Sequence, residues 1–117
     1  MSPKVSLVIP CCNVERYVEQ SVRSAMNQSL RNIEIICIND GSTDSTLSIL
    51  QKLANEDSRI CIIDKPNSGY GNSMNIGFDA AHGEYVGILE SDDFIDELML
   101  EVFYDLAKSN DAEVVKK

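Results

Sequence analysis

Three carboxylates within four positions, Glu90-Ser91-Asp92-Asp93, directly follow the apolar run 85–89. Like charges crowded at the end of a buried strand cost stability unless a cation sits among them. Hard oxygen ligands of this kind suit Mg2+ or Mn2+ bridging to phosphate oxygens. Asp92, Asp93 and Asp96 also read as the start of a helix, where they favour the helix dipole without any ligand. A second polar turn, Asn39-Asp40-Gly41-Ser42-Thr43-Asp44, follows the apolar run 33–38. There Asp40 can accept hydrogen bonds from a base N–H or a ribose hydroxyl, while Gly41 lets a backbone approach. Read as a helix cap alone, the turn needs only Ser42 or Thr43 as the cap and Asp44 near the positive end. None of the ten Lys and Arg residues lies in the 39–42 or 90–93 loops, so a diphosphate held there depends on the metal.

These turns need elements to hold them. The runs 5–10, 33–38, 60–63 and 85–89 are short, apolar and rich in β-branched residues, and they predict buried strands. Between them the spacing turns helical. Val14, Tyr17, Val18, Ser21, Val22, Ala25 and Met26 form one face, and Leu47, Leu50, Leu53 and Ala54 form another. A weaker, Gly-rich helix is expected over 69–81, and a fourth over 96–108 with Leu98, Met99, Val102, Phe103 and Leu106 on one side. Residues 112–115 begin a further strand. Alternation of this kind predicts an α/β fold, a doubly wound and mostly parallel sheet with helices on both faces, Rossmann-like and cut short. Ligands of such sheets bind outside the carboxyl ends of the strands, which singles out four loops.

Composition narrows the classes. A chain of 117 residues with 44% hydrophobic content is one domain with room for a core. A net charge of −9 disfavours nucleic acid and anionic membranes as partners. Cys11, Cys12, Cys37 and Cys61 lack CxxC spacing and read as buried, reduced thiols. The single histidine, His82, rules out a His-rich metal site or a Ser/His/Asp triad within the chain. No stretch reaches the length of a membrane span and no leader pattern opens the sequence, so a cytoplasmic protein is expected. The loop Pro10-Cys11-Cys12-Asn13 carries neither a GxGxxG turn nor a P-loop, and it lacks the paired aspartates of an aspartyl-phosphate enzyme.

Three segments in order, VSLVIPCCNVERYVEQSVRSAMNQS, IEIICINDGSTDST and NSGYGNSMNIGFDAAHGEYVGILESDD, resemble the family 2 glycosyltransferases of GT-A fold across nearly the whole chain. The resemblance implies a transferase that moves a sugar from a nucleotide-diphosphate sugar, a UDP-sugar first, to the hydroxyl of a sugar or lipid-linked acceptor, with inversion. It gives Asp40 to the nucleotide base, and Glu90, Asp92 and Asp93 to the ribose and a divalent cation, Mn2+ or Mg2+. It places Pro10, Asn13 and Ser42 at the nucleotide, and Asn75 and Gly77 on a helix lying over it. Lys65 and Asn67 follow the third strand and read as base-edge contacts or as plain loop residues.

The pattern departs from the family at three positions. Cys12 stands where a tyrosine is common before the asparagine, Met74 where an arginine is frequent, and Glu90 where the first acid is usually aspartate. The family's catalytic base comes from a later segment, downstream of Lys117. Residues 1–117 are thus expected to be the nucleotide-sugar-binding portion, without the acceptor-binding portion, able to bind nucleotide but poor at transfer. The full-length protein is expected to be cytoplasmic, or peripheral at the inner face of the membrane. The competing expectation is a truncated or degenerate, non-catalytic nucleotide-binding domain.

Overall fold

The computed structural model describes residues 2–109. Its elements are β1 (Val5–Cys11), α1 (Val18–Met26), β2 (Ile33–Asp40), α2 (Thr46–Glu56), β3 (Ile60–Lys65), α3 (Tyr70–Ala80), β4 (Tyr85–Ile88) and α4 (Met99–Ser109). The four strands form one sheet in the order β3-β2-β1-β4, and every pairing is parallel. The strand expected over 112–115 lies outside the described residues.

The two faces of β1 explain the layering. Odd positions Val5, Leu7, Ile9 and Cys11 pack with Val18, Val22 and Ala25 of α1, Leu50 and Leu53 of α2 and Leu100 of α4. On the other face Val8, Ile36 and Ile38 meet Met74 of α3 and Ala81. Crossovers through α1 and α2 step the sheet in one direction from β1. The next crossover, through α3, returns past β1 to place β4 on its far side. Crossovers of one hand that step in opposite directions must run over opposite faces, and this is the doubly wound arrangement expected from the alternating pattern.

The order of the strands leaves a reversal point between β1 and β4, and Pro10 opens it. Leu89 N–H donates to the Val8 carbonyl at 2.9 Å, so the even positions of β1 turn their backbone toward β4. Pro10 has no N–H to offer that strand. Pairing of β1 with β4 ends at Val8↔Ile88, whereas pairing with β2 runs on to Cys11↔Asn39. The sheet therefore splits at its carboxyl end.

Several local expectations are corrected. The helix after β2 starts at Thr46, not at Ser42 or Thr43, because those two residues turn away to Asn13. Asp44 takes over the start by accepting from Thr46 N–H at 2.9 Å and Thr46 Oγ1–H at 2.6 Å. Tyr17 lies outside the buried face of α1 and is 49% exposed. The stripe expected to bury α4 is shifted by one residue. Leu100 and Ala107 are buried, whereas Leu98, Met99, Val102 and Leu106 stand half exposed. The helix instead leans on β4, the last strand of the sheet among the described residues, where Tyr85 meets Phe103 and Tyr104 edge-on at 6.2 and 5.7 Å. Only Cys11 and Cys37 are buried thiols; Cys12 and Cys61 are exposed.

Candidate functional site

All four strand-end loops meet in one cleft of about 390 Å³ at the split. Pro10, Cys11, Cys12 and Val14 come from the end of β1, and Asp40 from the end of β2. Asn67, Gly69, Tyr70 and Ser73 come from the turn into α3 and its first residues, and Glu90, Ser91 and Asp92 follow β4. The two acidic turns thus share one end of the sheet.

Asp40 is the organising residue of the left wall. Its side chain is 7% exposed and paired with Lys65, which is 11% exposed. It also accepts N–H bonds from Ser68 at 2.8 Å and Gly69 at 3.1 Å. Burial pushes its carboxyl up, but Lys65 and the two N–H groups outweigh that and hold it below the usual aspartate range. The carboxylate thereby ties the β2 end to the β3–α3 turn. Oδ1 is taken by Lys65 and Ser68 N–H, while Oδ2, bonded to Gly69 N–H alone, keeps a second lone pair for a ligand donor. Gly41 admits a close backbone, and the backbone concerned is the protein's own. At φ +68° its missing Cβ leaves room for Asn67, whose N would lie 2.5 Å from a Cβ there. Asn67 in turn donates to the Asp40 carbonyl at 3.1 Å.

The right wall is looser. Asp93 N–H donates to the Glu90 carbonyl at 3.0 Å, closing a turn that splays the acids apart. Asp93 is not among the cleft residues, and its carboxylate accepts from Phe94 N–H at 2.8 Å. Glu90 is held by the Tyr70 hydroxyl, which donates to it across the mouth of the cleft at 2.5 Å. That bond and burial keep the Tyr70 phenol above its usual range. Among the described residues no three His, Cys, Asp or Glu side chains gather into a metal cage. The donor set nonetheless fits a hard cation. Glu90 and Asp92 both face the cleft, and ions such as Mg2+ take one or two carboxylates and fill their shell with phosphate oxygens and water.

Other residues named from sequence fall outside the walls. Asn13, at φ 51°, builds the floor beneath: its N–H donates to Ser42 Oγ at 3.0 Å and its Oδ1 accepts from Thr43 N–H at 2.8 Å. Ser42 passes the link on by donating to Asn39 Oδ1 at 2.6 Å. Asn75 is exposed on the outer side of α3, whose inward positions are Ser73, Met74 and Gly77. Gly77 lets α3 lie close to the sheet, since a Cβ there would come within 2.4 Å of Val8 Cγ1. The sequence reading did not assign Tyr70 or Ser73 to the site. Their three-residue spacing just after a strand end was the available signal, because it puts both on one helix face.

The thiols give a direct probe of this geometry. Burial, with Cys12 beside it, raises the Cys11 thiol to about 12, and burial pushes Cys37 well up too, so neither reacts readily in the folded protein. Cys12 is exposed and on the cleft wall. In a Cys61→Ser background, maleimide should label Cys12 first, and a cleft ligand should slow that labelling. Equal labelling rates with and without a ligand of proven binding would place the ligand elsewhere.

An open parallel sheet split at its reversal point, with carboxylates gathered around the gap, defines an α/β domain with a ligand cleft at the strand ends. The chain belongs to glycosyl transferase family 2, whose model matches residues 6–116. It is 36% identical over 115 residues to the glycosyltransferase EpsJ of Bacillus subtilis, covering 98% of this chain and 33% of that protein. It is likewise 36% identical over 116 residues to glycosyltransferase GlyG of Streptococcus pneumoniae, covering 98% of this chain and 38% of that one. A crystal structure of S. aureus TarS 1-349 in complex with UDP-GlcNAc superposes with a TM-score of 0.84 at 29% identity, covering 91% of this chain and 31% of the other. The chain thus spans about a third of the length of these relatives.

Proposed function

We propose that residues 1–117 form the nucleotide-sugar-binding portion of a glycosyltransferase that transfers a sugar from a UDP-sugar to an acceptor hydroxyl, with a divalent cation and inversion at the anomeric carbon. The observation that carries this reading is the convergence of Asp40, Glu90 and Asp92 on one cleft in a chain of this family. The UDP-GlcNAc complex of TarS supports the choice of ligand class. Asp40 receives the nucleoside, held rigid by Lys65 and the α3 turn. Glu90 and Asp92 are the residues that would hold Mn2+ or Mg2+, and the ion would offset the charge of a leaving diphosphate. No Lys or Arg lines the cleft, so the diphosphate has little else to offset it. Binding at Glu90 competes with the Tyr70 hydroxyl, which makes Tyr70 a group that shifts when the cleft fills.

The acceptor's base is not assigned to any residue of this cleft, and the chain by itself is expected to transfer sugar poorly. Among the described residues no helix is long and apolar enough to cross a membrane. A cytoplasmic site, where the sugar nucleotides are made, is part of the proposal, as is peripheral attachment of the whole protein to the inner membrane face.

Calorimetric titration tests the metal reading. Mn2+ is expected to tighten UDP binding by roughly tenfold or more, the size of a typical coupling between two ligands. Asp92→Ala should lose that gain and keep its melting temperature, since Asp92 is exposed. A parent protein whose UDP affinity ignores the metal would overturn the metal assignment.

A further inference from the structure

Ser73 carries the buried side-chain polar atom that has no hydrogen-bond partner among the described residues. The residue is fully buried, and it lines the cleft. Serines inside helices usually bond back to a carbonyl one turn earlier. Ser24 in α1 does so to the Ser21 carbonyl at 2.6 Å, and Ser48 in α2 to that of Ser45 at 2.9 Å. Ser73 sits in the same kind of helix, and its own N–H reaches the Gly69 carbonyl at 3.1 Å, yet its hydroxyl does not join that carbonyl. Buried polar side chains elsewhere around the sheet are satisfied, among them Ser6 by Glu34, Ser21 by the Glu90 carbonyl, Asn39 by Asp64 and Thr46 by Asp44. An orphaned hydroxyl on the wall of the binding cleft calls for a partner that arrives with the ligand.

We infer that Ser73 is a specificity-determining residue of the cleft, whose hydroxyl hydrogen-bonds a hydroxyl of the bound nucleotide sugar. The inference rests on the nucleotide-sugar reading above and adds a contact to it. The chemistry of the surroundings selects a hydroxyl over a phosphate. The cleft presents Asp40, Glu90 and Asp92 and no cationic side chain, so a phosphate would be confined to the cation at Glu90 and Asp92, which leaves Ser73 to an uncharged group. A ligand hydroxyl can donate to a carboxylate and accept from Ser73 at the same time.

Access follows from the helix. Ser73 is one turn beyond Tyr70 on the same face of α3, and Tyr70 is the side chain bridged to Glu90 across the mouth. Parting that bridge opens the hydroxyl to the ligand. A site built to bond a hydroxyl rejects analogues lacking it more strongly than an apolar pocket rejects a missing methylene, because the buried group is left unpaired.

The test compares the parent chain with Ser73→Ala, measuring affinity for UDP, 2′-deoxy-UDP and UDP-GlcNAc in Mn2+ by calorimetry, alongside melting temperature. Ser73→Ala should melt at or above the parent temperature, since an unsatisfied group is removed, while affinity falls by roughly tenfold. If UDP loses affinity and 2′-deoxy-UDP does not, the contact is to the ribose. A loss confined to UDP-GlcNAc places it on the transferred sugar. Should Ser73→Ala fold poorly, Ser73→Cys keeps the volume and weakens the bond, and should show the same loss in smaller measure. Affinities within twofold of the parent for all three ligands would overturn the inference while leaving the nucleotide reading standing. A parent chain that binds none of them removes both.

Discussion

Asp40→Ala is expected to destabilise the domain by about 3–5 kcal/mol, the usual cost of leaving one member of a buried ion pair without its partner. The stranded partner is Lys65, buried almost as deeply as Asp40. Ser68 and Gly69 N–H lose their acceptor in the same step, so the turn that leads into α3 loosens together with the left wall. Nucleotide binding should be lost as well, and the two effects can be separated. The pair Asp40→Ala with Lys65→Met removes the stranded charge and should recover most of the stability without recovering binding. Chemical denaturation of the three proteins, paired with UDP titration, reads both. A single Asp40→Ala variant as stable as its parent would show that the pair is not buried in solution. The same carboxylate sets a pH dependence. Its folded pKa lies below the unfolded value of about 3.9, so its contribution is complete above that value and is lost as pH falls through the lower folded one. Stability should therefore fall in that acidic window, and Asp40→Ala should flatten the fall.

Gly41→Ala is the second large effect expected, and it acts on the same junction from the other side. An alanine at φ +68° costs roughly 1–2 kcal/mol in backbone strain alone. Its Cβ would also lie 2.5 Å from Asn67 N and 2.9 Å from Asn67 Cα, which are main-chain atoms with no rotamer to retreat into. Overpacking of that kind adds about 1–3 kcal/mol, giving a total of roughly 2–5 kcal/mol. Relief can come only by pushing Asn67 outward, which breaks its bond to the Asp40 carbonyl and shifts the cleft wall. Denaturation midpoints should drop, and UDP affinity should weaken even in temperature ranges where the variant remains folded. An unchanged midpoint would mean that the 67–69 turn is free to move and does not brace the site.

Much of this arrangement was legible in the residues. Apolar β-branched runs gave four parallel strands, and the rule that ligands gather at strand ends led to Asp40, Glu90 and Asp92 because those acids directly follow such runs. What was not legible depends on contacts between distant segments. Asp93 looks like its neighbours in sequence, but a turn closed by its own N–H points its carboxylate elsewhere. The bond that joins Asn13 to Ser42, 29 residues apart, is likewise invisible in local pattern. Neither the Tyr70–Glu90 bridge nor the orphaned Ser73 hydroxyl can be read from local pattern, since each depends on how closely α3 approaches the sheet. Asn75 was within reach: with Met74 and Gly77 facing inward, the helical period turns position 75 outward. Leu98, Met99, Val102 and Leu106 stand half exposed because, among the described residues, no sheet lies beneath that side of α4.

The proline that ends the β1–β4 ladder early also sets the relative firmness of the two walls. Seven residue pairs tie β1 to β2, and four tie it to β4. Backbone hydrogens on the β2 side should thus be released to solvent only when much of the domain opens. Those of the 90–93 turn lie past the last rung and need only a local excursion. The cleft then works as an anvil with a movable jaw: the Asp40 side is set by folding, and the segment bearing Glu90 and Asp92 is settled by whatever enters.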